Sequence, residues 1–346
     1  MRSHPIAAAT AAALLCAVLT SCSAEGEESG GEPRAGAVAD PNTEADESGA
    51  PPEETPEETT PFGTPVGWAS EPLERDGQEY PGVTGGTGGE TVTASDTEEL
   101  AGHLASEEPL TVEISGRIDL DGAMEVGSDK TLVGVGEGAE LTGGTLVVDG
   151  SSDVVLTNLL VETDGTAVSV RGDAHHVWVD GSTFVGDGGD EPLVSVTDGA
   201  DRVTLSWNHF SDAVSAVAVG GDEEEPGALR VTVHHNHFDG TESRHPGARF
   251  AEHVHVFNNY FSANAEYGVR SADDSNVLVE GNYFDGTRVS VATAEERPGN
   301  VVTRDNLLVD SEQPELRGEV PDPPYAYELD DTAHVPDVVT AEAGVN

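Results

Sequence analysis

Residues 230–250 read RVTVHHNHFDGTESRHPGARF, and the phrase that opens this stretch recurs about every 24 residues. It is a short β-branched run, then Asn, then an aromatic residue or Leu, then Phe or Leu. Working outward, the equivalent runs are DVVLTN at 153–158, HVWVDG at 176–181, RVTLSWN at 202–208, HVHVFNN at 253–259, NVLVEGN at 276–282 and NVVTRDN at 300–306. Asn158, Asn208, Asn236, Asn259, Asn282 and Asn306 mark the phrase. Ser182 holds the missing rung, and the spacings are 24, 26, 28, 23, 23 and 24. A fixed period of that size means stacked supersecondary units rather than one ordinary globular core. Alternation with period two reads as a strand with one buried face. Most units leave no room for a crossover helix of roughly ten residues or more. The period therefore predicts an all-β solenoid, a parallel β-helix.

In such a solenoid each side chain recurs at the same place on the coils above and below. An asparagine at a turn can bond the neighbouring rung and tolerate a left-handed backbone, so the asparagines read as structural. Phe210, Phe238, Phe261 and Phe284 follow two places later and are expected to stack. His234, His235 and His255 lie in strand runs and read as packed or hydrogen-bonded residues, not ligands. Trp178 and Trp207 likewise read as packing residues.

The ends carry different information. Arg2 and the apolar run IAAATAAALLCAVLT lead into Leu19-Thr20-Ser21-Cys22. The run is too short for a comfortable membrane span and reads as a secretory signal over residues 1–21. LTSC resembles a bacterial lipobox, which implies cleavage before Cys22 and lipidation there; an ordinary secretory peptide cut slightly later is the plainer alternative. The expected location is extracellular, tethered to the bacterial surface by lipid at Cys22. Loss of Cys16 with the signal would leave no partner for an internal disulfide. Residues 22–64 are acidic and poor in large apolar side chains, and read as a disordered tether. Residues 65–346 suffice for one solenoid domain, expected to be a monomer.

The formal charge of −51, with a single lysine at Lys130, disfavours nucleic acid and anionic membrane surfaces as partners. Adaptation to high salt explains such acidity, and a calcium-rich surface is the sharper alternative.

Several phrases, in order, resemble the pectate lyases of polysaccharide lyase family 1. They include GVTGGTGGETVTASDTEELAGHLASEEPLTVEISGRIDL, SDKTLVGVGEGAELTGGTLVV, HHVWVDGSTF, DRVTLSWNHFSD, VTVHHNHFDGTESRHPGARF, VHVFNNYF and the tail PYAYELDDTAHVPDVVTAEAGV. The resemblance implies a single-stranded right-handed parallel β-helix with a short N-terminal capping helix at 96–105. It also implies an activity: cleavage of polygalacturonate, the acidic plant polysaccharide of pectin, by β-elimination with Ca²⁺. The family's Arg-x-Pro-x-x-Arg phrase is present as Arg244-His245-Pro246-Gly247-Ala248-Arg249. By that correspondence Arg244 is the base that takes the C5 proton and Arg249 binds a substrate carboxylate. A guanidinium is ordinarily protonated, with a pKa above about 12, so an arginine base needs cations nearby and alkaline solution. The plainer reading is that both arginines pair with the abundant acids.

The pattern is broken at the metal. By alignment Asp164 and Glu191 keep two calcium-ligand positions, Thr166 and Ser195 replace two others, and Asp187 and Asp190 stand near enough in sequence to compensate. Asp180 matches a common family aspartate, but Gly181 stands where a histidine usually follows. The family's lysine is replaced by Ser215, and Lys130 belongs to an early coil. Calcium takes six to eight oxygens, so this set implies a weakened site. Three readings follow: a calcium-assisted pectate lyase, a pectin lyase acting on methylated polymer, or a catalytically impaired β-helix that binds acidic polysaccharide. The fold predicts a groove carrying Asp164, Glu191, Ser215 and Arg244, and the enzymatic readings require Arg244 and Glu191 to face the same side of the solenoid.

Overall fold

The computed structural model describes residues 63–75, 77–136 and 138–345. The expected signal peptide, Cys22 and all but the end of the expected tether lie outside the described residues. The remainder is the solenoid that the period predicts: strands dominate, and the strands of successive coils pair in parallel. Three stacks of strands run along it. One is a ten-stranded sheet running from Glu90–Ala94 to Asn300–Arg304 and containing all the repeated runs. The other two share the long strand Glu140–Asp149, whose first residues pair with Leu160–Glu162 and whose last pair with Val168–Arg171. From there one stack proceeds through Thr183–Val185, His209–Ser211, His237–Asp239 and Tyr260–Ser262. The other proceeds through Pro192–Val196, Ser215–Val219, Gly247–Arg249 and Tyr267–Ala272.

The inward rows of most strands are valine, leucine or phenylalanine at near-zero exposure. Phe184, Phe210, Phe238, Phe261 and Phe284 stack with ring centroids 5.2, 5.1, 5.1 and 4.3 Å apart, so the expected phenylalanine ladder is internal. Trp178 is buried and donates to Ser206 Oγ at 2.8 Å. His255 is buried between the Tyr325 hydroxyl and Glu280, and His234 is buried against His235. Trp207 is half-buried and stacks on His235 at 4.3 Å. These residues are packing residues, as read.

The asparagine ladder needs a correction. The left-handed residue of each turn is the one before the ladder asparagine: Gly181, Trp207, His235, Asn258, Gly281 and Asp305, with φ between 50° and 62°. Asn158 has φ 55° and belongs to that row; Leu159 occupies the rung and donates its N–H to Ser182 Oγ. From Ser182 onward each rung's N–H donates to the next side-chain carbonyl, Asn208, Asn236, Asn259, Asn282 and Asn306 in turn, at 2.9 to 3.0 Å. The amides thus close a buried chain that runs parallel to the solenoid axis.

A capping helix, Thr97–Leu104, stands where 96–105 is expected. Asp96 caps it by accepting from Glu99 N–H at 2.9 Å, and Glu99 accepts from Ser95 N–H at 3.0 Å. Two closed caps fix the entry of a helix this short. A second helix, Val335–Glu342, is not anticipated by the period, although Pro336 at its start and Asp337 in its first turn are start signals. The segment before the first coil crosses the ten-stranded sheet: Trp68 and Ala69 N–H donate to Thr232 and Thr204 hydroxyls at 3.0 Å. Gly67 permits this at φ 140°, since a Cβ there would lie 2.7 Å from Thr204 Oγ1.

Asn236→Ala removes three donated and two accepted hydrogen bonds in the centre of the ladder. It should cost about 3 kcal/mol in urea unfolding, because buried backbone partners are left unsatisfied. Asn306→Ala, at the partly exposed end, should cost on the order of 1 kcal/mol.

Candidate active site

The loop between His237–Asp239 and Gly247–Arg249 sets the position of Arg244. His245 is fully buried. Its Nδ1 faces the carbonyls of Tyr267 and Gly268 at 3.0 Å, and its Nε2 faces the Thr241 hydroxyl at 2.7 Å. Carbonyls only accept, so Nδ1 carries the proton and Nε2 accepts from Thr241. With His245 turned inward, Arg244 at φ 59° projects outward. Its stem lies over Gly247, where an added Cβ would stand 2.9 Å from Arg244 Cγ.

Arg244 lines an open groove of about 1040 Å³ along the Pro192–Val196 to Val289–Thr293 stack. Glu191, Ser195, Arg249, Arg270 and Arg297 line the same groove. Arg244 and Glu191 therefore share one side of the solenoid, as the enzymatic readings require. Asp164 is exposed in an adjoining shallow depression with Asp187 and Glu191. Glu191 is the residue common to both. Asp190 lines neither. Ser215 departs from expectation. It is 1 % exposed, pairs with Pro192 and Ser243, and its hydroxyl has no hydrogen-bond partner among the described residues. Its short side chain stays within the wall instead of reaching the groove. Asp180 lies on the ten-stranded sheet, accepts from Ser206 Oγ at 2.5 Å, and takes no part in the groove.

The arginines divide into two kinds. Among the described residues eight arginines form ion pairs with acids. Arg249 is one of them: its Nε donates to buried Asp273 at 2.6 Å and its Nη1 to Asp222 at 2.7 Å. Those bonds raise its pKa further. Asp273 also holds Arg297 at 2.9 Å, so one buried carboxylate fixes two groove arginines. Among the described residues Arg244 has no carboxylate partner. Nor has Arg270, whose guanidinium lies 5.7 Å from the Tyr267 ring centroid. Pairing with surrounding acids accounts for Arg249 and not for Arg244. Arg270 escaped the sequence reading because it belongs to no spaced motif; its place follows from strand register, opposite Gly247 on the next coil.

The oxygens of Asp164, Asp187, Glu191 and Ser195 suit a hard cation such as Ca²⁺. They are not gathered into a cage: among the described residues no three carboxylates bring oxygens within 4.8 Å of one another. A calcium ion here would leave positions for other oxygens, water or a substrate carboxylate.

The pectate lyase family model matches residues 82–345. The chain belongs to the pectate lyase family. Within it, a pectate trisaccharide-lyase of Bacillus licheniformis is 28 % identical over 290 residues, 76 % of this chain and 83 % of that protein. A pectate trisaccharide-lyase of Thermotoga maritima is 34 % identical over 224 residues, covering 59 % of each. Among solved structures, a Bacillus sp. N165 pectate lyase in complex with trigalacturonate superposes with a TM-score of 0.72 at 25 % identity, over 81 % of this chain and 98 % of that one.

Burial holds the imidazoles of His175, His176, His237 and His245 down at about 4. Unfolded histidine titrates near 6.5, so between pH 6.5 and 4 the unfolded chain binds the extra protons. The stability these residues contribute is complete above pH 6.5 and lost as pH falls toward 4. Asp180, raised to about 6 by burial, acts in the opposite sense but is one group against four. Calorimetry from pH 7.5 to 4 should show a falling unfolding temperature, with His245→Gln shallower than the parent chain.

Proposed function

We propose that this chain cleaves polygalacturonate by β-elimination in the groove, with Arg244 as the base. The observation that carries the proposal is an outward arginine, held over Gly247 and without a carboxylate partner among the described residues, in the groove that Glu191 also lines, in a chain with 66 acidic and 15 basic residues. Membership of the family and the trigalacturonate complex of the Bacillus sp. N165 relative support the substrate class.

In the reaction Arg244, in its neutral form, removes the proton on C5. The C5 electron pair forms the C4–C5 double bond, the C4 glycosidic bond breaks, and the departing oxygen takes a proton from water. Charge builds on the C6 carboxylate during this step, so cationic groups at that carboxylate lower the barrier. Arg249 Nη2, which neither of the two acids holding Nε and Nη1 engages, and Arg270 supply such charge from adjacent coils. Asp164 and Glu191, with Asp187 and Ser195, would hold Ca²⁺, which when bound acidifies the C5 proton by neutralising the substrate carboxylate. Arg249 thus carries substrate, and Asp273 with Asp222 orients it.

The weakened acid set and the buried Ser215 favour a second reading, a β-helix that binds acidic polysaccharide without cutting it. Product absorbance from the unsaturated uronate separates the two. With polygalacturonate and millimolar Ca²⁺ at alkaline pH, the parent chain should give product and lose it to chelator. Arg244→Ala should lower kcat by on the order of 1000-fold, and Gly247→Ala, which displaces Arg244, by about 100-fold. Absence of product on both unmethylated and methylated polymer would establish the binding reading. Ser195→Asp should lower the Ca²⁺ concentration for half-maximal activity about tenfold, because carboxylates carry most calcium affinity. On the strength of LTSC we also propose export and lipid anchorage at Cys22.

A further inference from the structure

We propose that His209, His237 and Asp239 form a site for one divalent transition-metal ion of the zinc class, on a different strand stack from the groove. One ring nitrogen of each histidine and a carboxylate oxygen of Asp239 lie within 4.8 Å of one another. The register makes this meeting: His209 pairs with His237, and Asp239 stands two places further along the same strand as His237, on the same face. His209 Nε2 is 3.5 Å from Asp239 Oδ2. Two ligand atoms about 2.1 Å from a common tetrahedral ion stand roughly 3.4 Å apart, so that pair is already at ligand spacing.

The surroundings also suit an ion. His209 Nε2 is buried and has no hydrogen-bond partner among the described residues, although its side chain is 30 % exposed. The nitrogen is directed into the cluster, with the ring edge open to solvent. Ser262 on the next coil bonds both His237 Nε2 at 3.0 Å and Asp239 Oδ1 at 3.2 Å, an outer contact of the type that orients metal ligands. Imidazole nitrogens with a carboxylate suit zinc, nickel or copper; calcium and magnesium take oxygen. The site is therefore chemically separate from the acid set beside the groove.

The two imidazoles are stacked, with centroids 5.0 Å apart and planes at 17°, and His237 stacks in turn on Tyr260 at 4.9 Å. Binding requires the rings to rotate so that both lone pairs meet one ion. The ion would then cross-link consecutive coils in a domain where residues 63–345 contain no cysteine. It would lie close to the C-terminal segment, since Gly344 donates to the Trp207 carbonyl at 2.8 Å and packs beside His209.

A stacking ladder without a metal role needs flat rings but neither nitrogen nor carboxylate, and this difference supplies the test. Zinc chloride is titrated calorimetrically into the full chain at neutral pH, with excess Mg²⁺ to occupy surface acids. One site is expected, with a zinc-dependent rise in unfolding temperature. His209→Phe and His237→Phe keep the stack and should abolish both effects. Asp239→Asn, at a side chain 52 % exposed and outside the stack, should weaken binding at least about tenfold. The proposal is overturned if no site is seen, or if zinc binds the Asp239→Asn and histidine variants as tightly as the parent.

Discussion

Every feature of this molecule depends on register between coils. Equivalent side chains on neighbouring parallel strands stand about 4.8 Å apart, so a slip of one residue would turn the whole buried row outward. The amide chain from Ser182 to Asn306 fixes that register from inside, with Ser182, Asn208, Asn236, Asn259 and Asn282 buried away from competing water. The phenylalanine stack two residues later fills the space beside it. The groove is a consequence. Glu191 and Ser195, Ala218, Arg244 and Arg249, and Arg270 come from four successive coils, and they line one surface only because their strands are held in step.

The charge distribution follows a local logic opposite to the global one. A chain of formal charge −51 repels an anionic polymer at long range, and most of the described arginines are paired with acids. The groove nevertheless gathers Arg244, Arg249, Arg270 and Arg297 on one strand stack. Asp273 holds two of these in place and leaves Arg244 and Arg270 unpaired. In concentrated salt, where screening acts within about 3 Å, contact geometry in the groove counts for more than net charge.

The solenoid was legible from its repeat, and the capping helix and the shared face of Arg244 and Glu191 from the ordered phrases of the family resemblance. The misses have identifiable causes. Asn158 carries the same residue type as the ladder but sits one place early, and only backbone conformation separates the two rows. Ser215 was placed by alignment with a long lysine, and a hydroxyl at that position cannot leave the wall. Arg270 and Asp273 lie in a strand without a motif, so their role emerges only from the coil beside them. The His209, His237 and Asp239 cluster is split between two repeats 28 residues apart, and its ladder positions resemble simple packing.

The central claim is that Arg244 takes the proton, and the pH dependence of kcat/KM tests it most directly. For the parent chain the account predicts a rate that climbs about tenfold per pH unit into the alkaline range, as the neutral guanidine fraction grows. Arg244→Lys, whose ammonium ordinarily titrates near about 10.4, should reduce the maximum and move the break to lower pH. Profiles of the same shape and break for the parent and Arg244→Lys would contradict the account and assign the base to another group.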